Sequence, residues 1–126
     1  MEPYQITHRI VDKIVEFSVK GYFSSEAANE IYDALDGLYA RGIRVFVLEF
    51  SECRMFNSTG VAVLLDIAGK VREEWQAELY FDGMNEVCFQ TLCMTGLMKP
   101  ADRHLLHQKY PMLKKTAPPK PITLRR

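Results

Sequence analysis

Polar and apolar residues alternate at the start of the chain. Ile6, His8 and Ile10 fall on one phase, Asp12-Lys13 offers a turn, and Val15, Phe17 and Val19 resume the alternation up to Gly21. A period of two predicts two strands joined as a hairpin, with His8 a partly buried strand residue. The period then lengthens. Ser24-Ser25-Glu26 supplies a cap and a first-turn acid, Ala27, Ile31, Ala34, Leu35 and Leu38 follow at helical spacing, and Gly42 suits the position just past the helix end.

From Arg44 to Phe50 both phases are apolar, with Val45 and Val47 on one side and Phe46, Leu48 and Phe50 on the other. Such a strand is buried on both faces, in the middle of a sheet. A second helix is predicted from about Thr59 to Glu74, apolar over most of its surface up to Ile67, with Trp75 as its closing anchor. Leu79-Tyr80-Phe81 reads as a short strand and Asp82-Gly83 as a turn. Asn85 caps a third helix carrying Val87, Phe89, Leu92 and Cys93, which Gly96 ends.

The order is ββαβαβα, an α/β fold with a small mixed sheet and helices packed against it. The body is assigned to residues 1–98 and a basic extension, at most partly ordered, to 99–126. Within the extension, Asp102 to Tyr110 is open between a short helix and an edge strand, and Pro111 interrupts either. Ala117-Pro118-Pro119-Lys120-Pro121 is expected to form an extended, mobile tail.

Composition narrows the class. A chain of 126 residues, 48% hydrophobic and 25% charged, reads as one soluble globular domain. No apolar run approaches the ~20 residues of a membrane helix, and Met1-Glu2-Pro3-Tyr4 lacks the features of a signal peptide. Cys53, Cys88 and Cys93 lack zinc-finger spacing and read as reduced thiols of a cytoplasmic protein. The net charge of zero conceals a division: residues 1–98 hold 8 Lys+Arg against 15 Asp+Glu, and residues 99–126 hold 8 Lys+Arg against Asp102 alone. The basic extension is suited to an anionic partner or to its own acidic body.

Candidate chemistry is sparse. No nucleophile–base pair converges. His104 and His107 share a helical face but lack a third metal ligand, so neither metal nor cofactor is expected. Gly60 and Gly69-Lys70 are too far apart for a phosphate-binding loop, and Val71 stands where Ser or Thr is required. Cys88 and Cys93, five apart, do not share a face and read as packing residues. Lys114-Lys115 and Arg125-Arg126 read as solvated charge.

The exception is Phe56-Asn57-Ser58-Thr59-Gly60-Val61, where three successive cap residues follow the double-faced strand. A hydroxyl at a helix N-terminus lies among unpaired N–H groups, where a phosphate is well tolerated. Together with Val19-Lys20-Gly21-Tyr22-Phe23-Ser24, the strand Val45–Phe50, Leu79–Phe81 and Thr95-Gly96-Leu97, this loop resembles the STAS domain of bacterial anti-sigma factor antagonists. The likeness spans about Val15 to Met98.

The resemblance implies a cytoplasmic, non-enzymatic binding protein without cofactors. Its partners would be a serine kinase of the histidine-kinase-like ATPase fold, acting as anti-sigma factor, and a PPM-type phosphatase that resets the switch, with no nucleic acid bound. In that family the loop reads Asp-Ser-Ser/Thr-Gly and its first serine is phosphorylated. That position is Ser58 here, with Thr59 second. Phe23, Ser24, Phe56, Asn57, Ser58, Thr59 and Gly60 would meet the partner. Asn57 and Ser24 stand where the family commonly has Asp. Those missing acids also suit an unphosphorylated scaffold in a signalling or transport assembly. A small-molecule sensor using the helix N-terminus as its anion site is the weaker third reading.

Overall fold

Every residue from Pro3 to Leu113 is described in the computed structural model; the Ala117–Pro121 tail expectation lies outside the described residues. β1 (Tyr4–Val11) and β2 (Ile14–Phe23) form the expected antiparallel hairpin. β3 (Val45–Phe56) pairs parallel with β2, and β4 (Glu78–Asp82) parallel with β3, giving the sheet order β1-β2-β3-β4. The helices α1 (Ser25–Ala40), α2 (Ser58–Ala68) and α3 (Glu86–Met94) complete the ββαβαβα order. The fold is α/β with a mixed four-stranded sheet.

The double-faced strand behaves as its pattern requires. Phe46, Leu48 and Phe50 join Val15, Phe17 and Val19 under α1, α2 and α3 in the larger core. On the other face Val45 and Val47 meet Ile14, Leu106 and Leu113. These last two come from the extension: of the two readings for 102–110 the helical one holds, as α4 (Leu105–Lys109), with 3-10 turns before it at Pro100–Asp102 and after it at Pro111–Leu113. The extension therefore supplies the second cover of the central strand.

Four further differences have local causes. His8 is exposed, because α1 covers the start of edge strand β1, where Tyr4 and Ile6 pack, and not its middle. β3 runs six residues past Phe50 because its register against β2 slips between Ser18 and Lys20 and again between Gly21 and Tyr22. Each slip inserts a residue, so the inward positions become Phe50, Cys53 and Phe56, spaced by three. The second helix stays α-helical to Ala68 and then widens into a π-turn, Gly69–Glu74. In α3 the inward pair is Cys88 and Leu92, while Val87 is 68% exposed.

Trp75 anchors the end of that turn by stacking on Tyr39, with ring centroids 4.1 Å apart. Arg72 clamps three elements, donating from Nη1 to Leu97 O at 2.6 Å and from Nη2 to Leu79 O at 2.9 Å. On the second face Glu16 is buried, and one of its oxygens takes the Arg9 Nε–H at 2.7 Å. The extension is pinned through Glu78, whose Oε1 accepts from Tyr80 Oη at 2.5 Å, Tyr110 Oη at 2.9 Å and Lys109 Nζ at 3.1 Å.

Leu106 is buried between α4 and β3, so Leu106→Ala removes a core side chain. Urea titration is expected to show a loss of about 2–5 kcal/mol. An unchanged midpoint would mean that α4 is not part of the cooperative unit.

Burial works to raise the Glu78 carboxyl pKa, but the hydroxyls and ammonium around it outweigh burial and hold it below its usual range. A depressed carboxyl pKa stabilises the fold above the unfolded value of about 4.3, and that contribution is lost as pH falls through the folded value. Glu78→Gln is therefore expected to be less stable than the parent at neutral pH, with the gap narrowing below about pH 4.

Candidate functional site: the loop between β3 and α2

Asn57 begins the site by ending the strand. Its backbone is extended, and its Oδ1 accepts from Gly60 N at 2.8 Å and from Thr59 Oγ1 at 2.9 Å. One acceptor thus satisfies an orphan helix amide and fixes a neighbouring hydroxyl. Ser58 is the first residue of α2 and is exposed. Among the described residues its hydroxyl enters no side-chain hydrogen bond, whereas that of Thr59 is committed to Asn57. The first turn of α2 carries no acid. A negative group on Ser58 would face the positive end of the helix with no carboxylate on its own turn.

The loop is held down from below. Asn57 N donates to Phe23 O at 3.2 Å, joining the loop to the end of β2. Gly60 sits so close to the same carbonyl that a Cβ there would lie 2.2 Å from the oxygen and 2.9 Å from the carbon. No side chain fits. Beneath them Phe23, Phe50 and Phe56 form an aromatic pedestal with centroid separations of 5.3, 5.6 and 4.9 Å. These spacings are typical of favourable edge-to-face pairs.

The seven residues singled out in the sequence are brought together at one end of the sheet, in different roles. Asn57, Ser58 and Thr59 are exposed, while Ser24 and Phe56 are half-buried. Phe23 is 0% exposed and Gly60 is buried, so neither offers surface to a partner. The expectation that they contact one is corrected: they hold the loop in place. Ser24 precedes α1 without a side-chain cap bond.

His107 bonds Asp82 Oδ2 through Nε2 at 3.0 Å and His104 is exposed, so the pair is not a joint site. No group of three His, Cys, Asp or Glu among the described residues is arranged to hold a metal ion. No described helix is long and apolar enough to cross a membrane.

Two features escaped the sequence pattern. Met55 is exposed beside the loop, and Ser58, Ala62 and Leu65 form an exposed strip along α2. The i, i+4, i+7 spacing of that strip was readable once the cap was fixed at Asn57. The second feature is the meeting of Cys53 and Cys88, which the three-residue spacing on β3 brings about.

Residues 5–103 match the STAS domain family profile. The chain belongs to the STAS domain family. No protein with a curated description matches it. Solved structures share its fold. An anti-sigma factor antagonist from Mycobacterium paratuberculosis is 16% identical, with a TM-score of 0.66 over 90% of this chain and 96% of that one. The Bacillus cell fate determinant SpoIIAA in its phosphorylated form is 14% identical, with a TM-score of 0.60 over 75% of this chain and 85% of that one. SpoIIAA in its unphosphorylated form is 12% identical, with a TM-score of 0.57, covering 71% and 80%. These structures share the sheet and helix arrangement that presents the Ser58 loop here.

In this STAS domain, Gly60→Ala forces the loop off Phe23. It is expected to cost about 1–3 kcal/mol, as overpacking does. Asn57→Ala should cost about 1 kcal/mol through loss of the cap, while Asn57→Asp, which keeps the acceptor, should be near neutral. Thermal melts of the three variants check the ranking.

Proposed function

We propose that this STAS domain is a cytoplasmic, non-enzymatic partner switch of the anti-sigma factor antagonist type, with Ser58 as its phosphorylated residue. The observation that carries this reading is the division of labour in the loop. Asn57 and Thr59 bond each other, while the Ser58 hydroxyl stands exposed at the N-terminus of α2. Its partners are a serine kinase of the histidine-kinase-like ATPase fold and a PPM-type phosphatase.

The surroundings support it. Of the large apolar side chains that remain exposed, Met55 lies at the end of β3, Leu65 on α2, and Val87 and Met94 on α3. Met94 is 86% exposed. Met55 directly precedes the loop and Leu65 lies on the exposed strip of α2 that begins at Ser58, so a partner covering these two would also cover Ser58. Phosphate adds about −1.5 to −2 charge at neutral pH. Burying it without a matching cation costs several kcal/mol, against about 0.3–1 kcal/mol recovered from the helix N-terminus. Release follows, while the loop, held by Phe23 and Gly60, keeps its shape.

The scaffold reading draws on Asn57 and Ser24, neutral where the family commonly carries Asp. Co-expression with candidate kinases, then intact-mass and site mapping, separates the two. Phosphate at Ser58 is expected, with Ser58→Asp weakening partner binding at least about tenfold, 1.4 kcal/mol, and Ser58→Ala retaining it. Phosphate only at other residues, or affinity indifferent to both substitutions, overturns the switch and leaves the scaffold.

A further inference from the structure

The two register slips in β3 turn Cys53 inward, where it meets Cys88 of α3 in the larger core, 5% and 1% exposed respectively. The two thiols are neighbours within that core. Cys53 Sγ also lies 3.7 Å from Met55 O. Asn85, the cap of α3, adds a contact from Nδ2 to Arg54 O at 3.5 Å. The sulfur pair thus sits where α3 starts, against the last residues of β3 and directly before Asn57 and Ser58. Cys93, at the far end of α3, has no such neighbour among the described residues.

We propose that Cys53 and Cys88 form a reversible intramolecular disulfide, with a hydroperoxide as oxidant, that fastens the start of α3 to the end of β3 beneath the Ser58 loop. Cys88 is the attacking sulfur. It occupies the first turn of α3, with its N–H on Asn85 Oδ1 at 2.8 Å, at the helix end that favours a thiolate. The neighbouring Cys53 thiol holds the Cys88 thiol below its usual range against the opposing effect of burial, and the same contact, with burial, pushes the Cys53 thiol up.

The chemistry balances. The Cys88 thiolate attacks one peroxide oxygen, the O–O bond breaks, and the alcohol leaves with the proton given up by Cys88, forming a sulfenic acid. Cys53 then attacks that sulfur, the S–S bond forms, and hydroxide leaves with the Cys53 proton as water. Two thiols lose two electrons and one hydroperoxide is reduced to an alcohol and water. Access requires α3 to lift. A nine-residue helix is marginal without its packing, so such opening precedes global unfolding.

The inference does not rest on phosphorylation of Ser58, and its test has its own readout. The full chain is treated with hydrogen peroxide and analysed by intact mass, non-reducing peptide mapping and amide exchange. A loss of two hydrogens, a Cys53–Cys88 linked peptide, reversal by dithiothreitol and about tenfold slower exchange in residues 55–60 and 86–89 are expected. Cys93→Ala should behave as the parent does, which keeps the test decisive if Cys53→Ala or Cys88→Ala fails to fold. A link through Cys93, an intermolecular disulfide, oxygen addition without a link, or a link that leaves exchange unchanged would overturn the proposal.

Discussion

Strand β3 cannot be left bare on either side, and most of the molecule follows from that. Its alternate residues are apolar on both faces, so a single layer of helices would leave Val45 and Val47 in water. At roughly 25 cal/mol per Å² of apolar surface, a second cover is worth several kcal/mol. The chain supplies it from the segment after α3, where Leu106 and Leu113 close the second face. Polar contacts then seat that segment: Lys109 pairs with Glu78, and His107 hydrogen-bonds Asp82. A body of net acidic charge and a basic extension are two halves of one packing problem.

The same strand, extended by two slips of register, becomes the platform for the loop. Beyond Phe50 its inward side chains recur every third residue, which carries Phe56 over Phe23 and sets the loop on a pedestal of rings. Gly60 then closes the distance to the Phe23 carbonyl. The glycine after the hydroxyl pair therefore serves packing, not phosphate binding. Its effect on Ser58 is indirect but strong: a loop pressed this tightly onto β2 has little freedom to turn the hydroxyl inward.

The period-two and period-3.6 patterns made the element order and the burial of β3 readable from residues alone, because both depend on local alternation. The place of the cap was readable only to within Asn57, Ser58 and Thr59; that Asn57 is the cap and α2 starts at Ser58, one residue before the expected Thr59, is decided by its Oδ1 reaching Gly60 N. What stayed hidden depends on contacts distant in sequence. The slips in β3 arise from its pairing with β2, so Cys53 looked like an isolated thiol. Phe23 looked like a contact residue because nothing local says that α2 closes over it. His8 looked half-buried because alternation cannot show how far α1 reaches along an edge strand. Leu106 and Leu113 lay in a stretch whose short helix makes too few turns to establish a period.

Asn57 is where these lines meet. Its Oδ1 is already shared between Gly60 N and Thr59 Oγ1, so the cap needs an acceptor and not a charge. An aspartate would do the same structural work, but it would place a carboxylate beside any phosphate on Ser58, adding repulsion between like charges in a loop that cannot spread. With asparagine, a phosphate there would face the helix N-terminus with no acid in the first turn of α2. The neutral Asn57 would thus make a phosphorylated Ser58, as proposed, easier to hold than an aspartate would. Under the proposed switch, recognition by a kinase would draw on the apolar side chains exposed beside the loop, Met55 and Leu65, rather than on an acid within it.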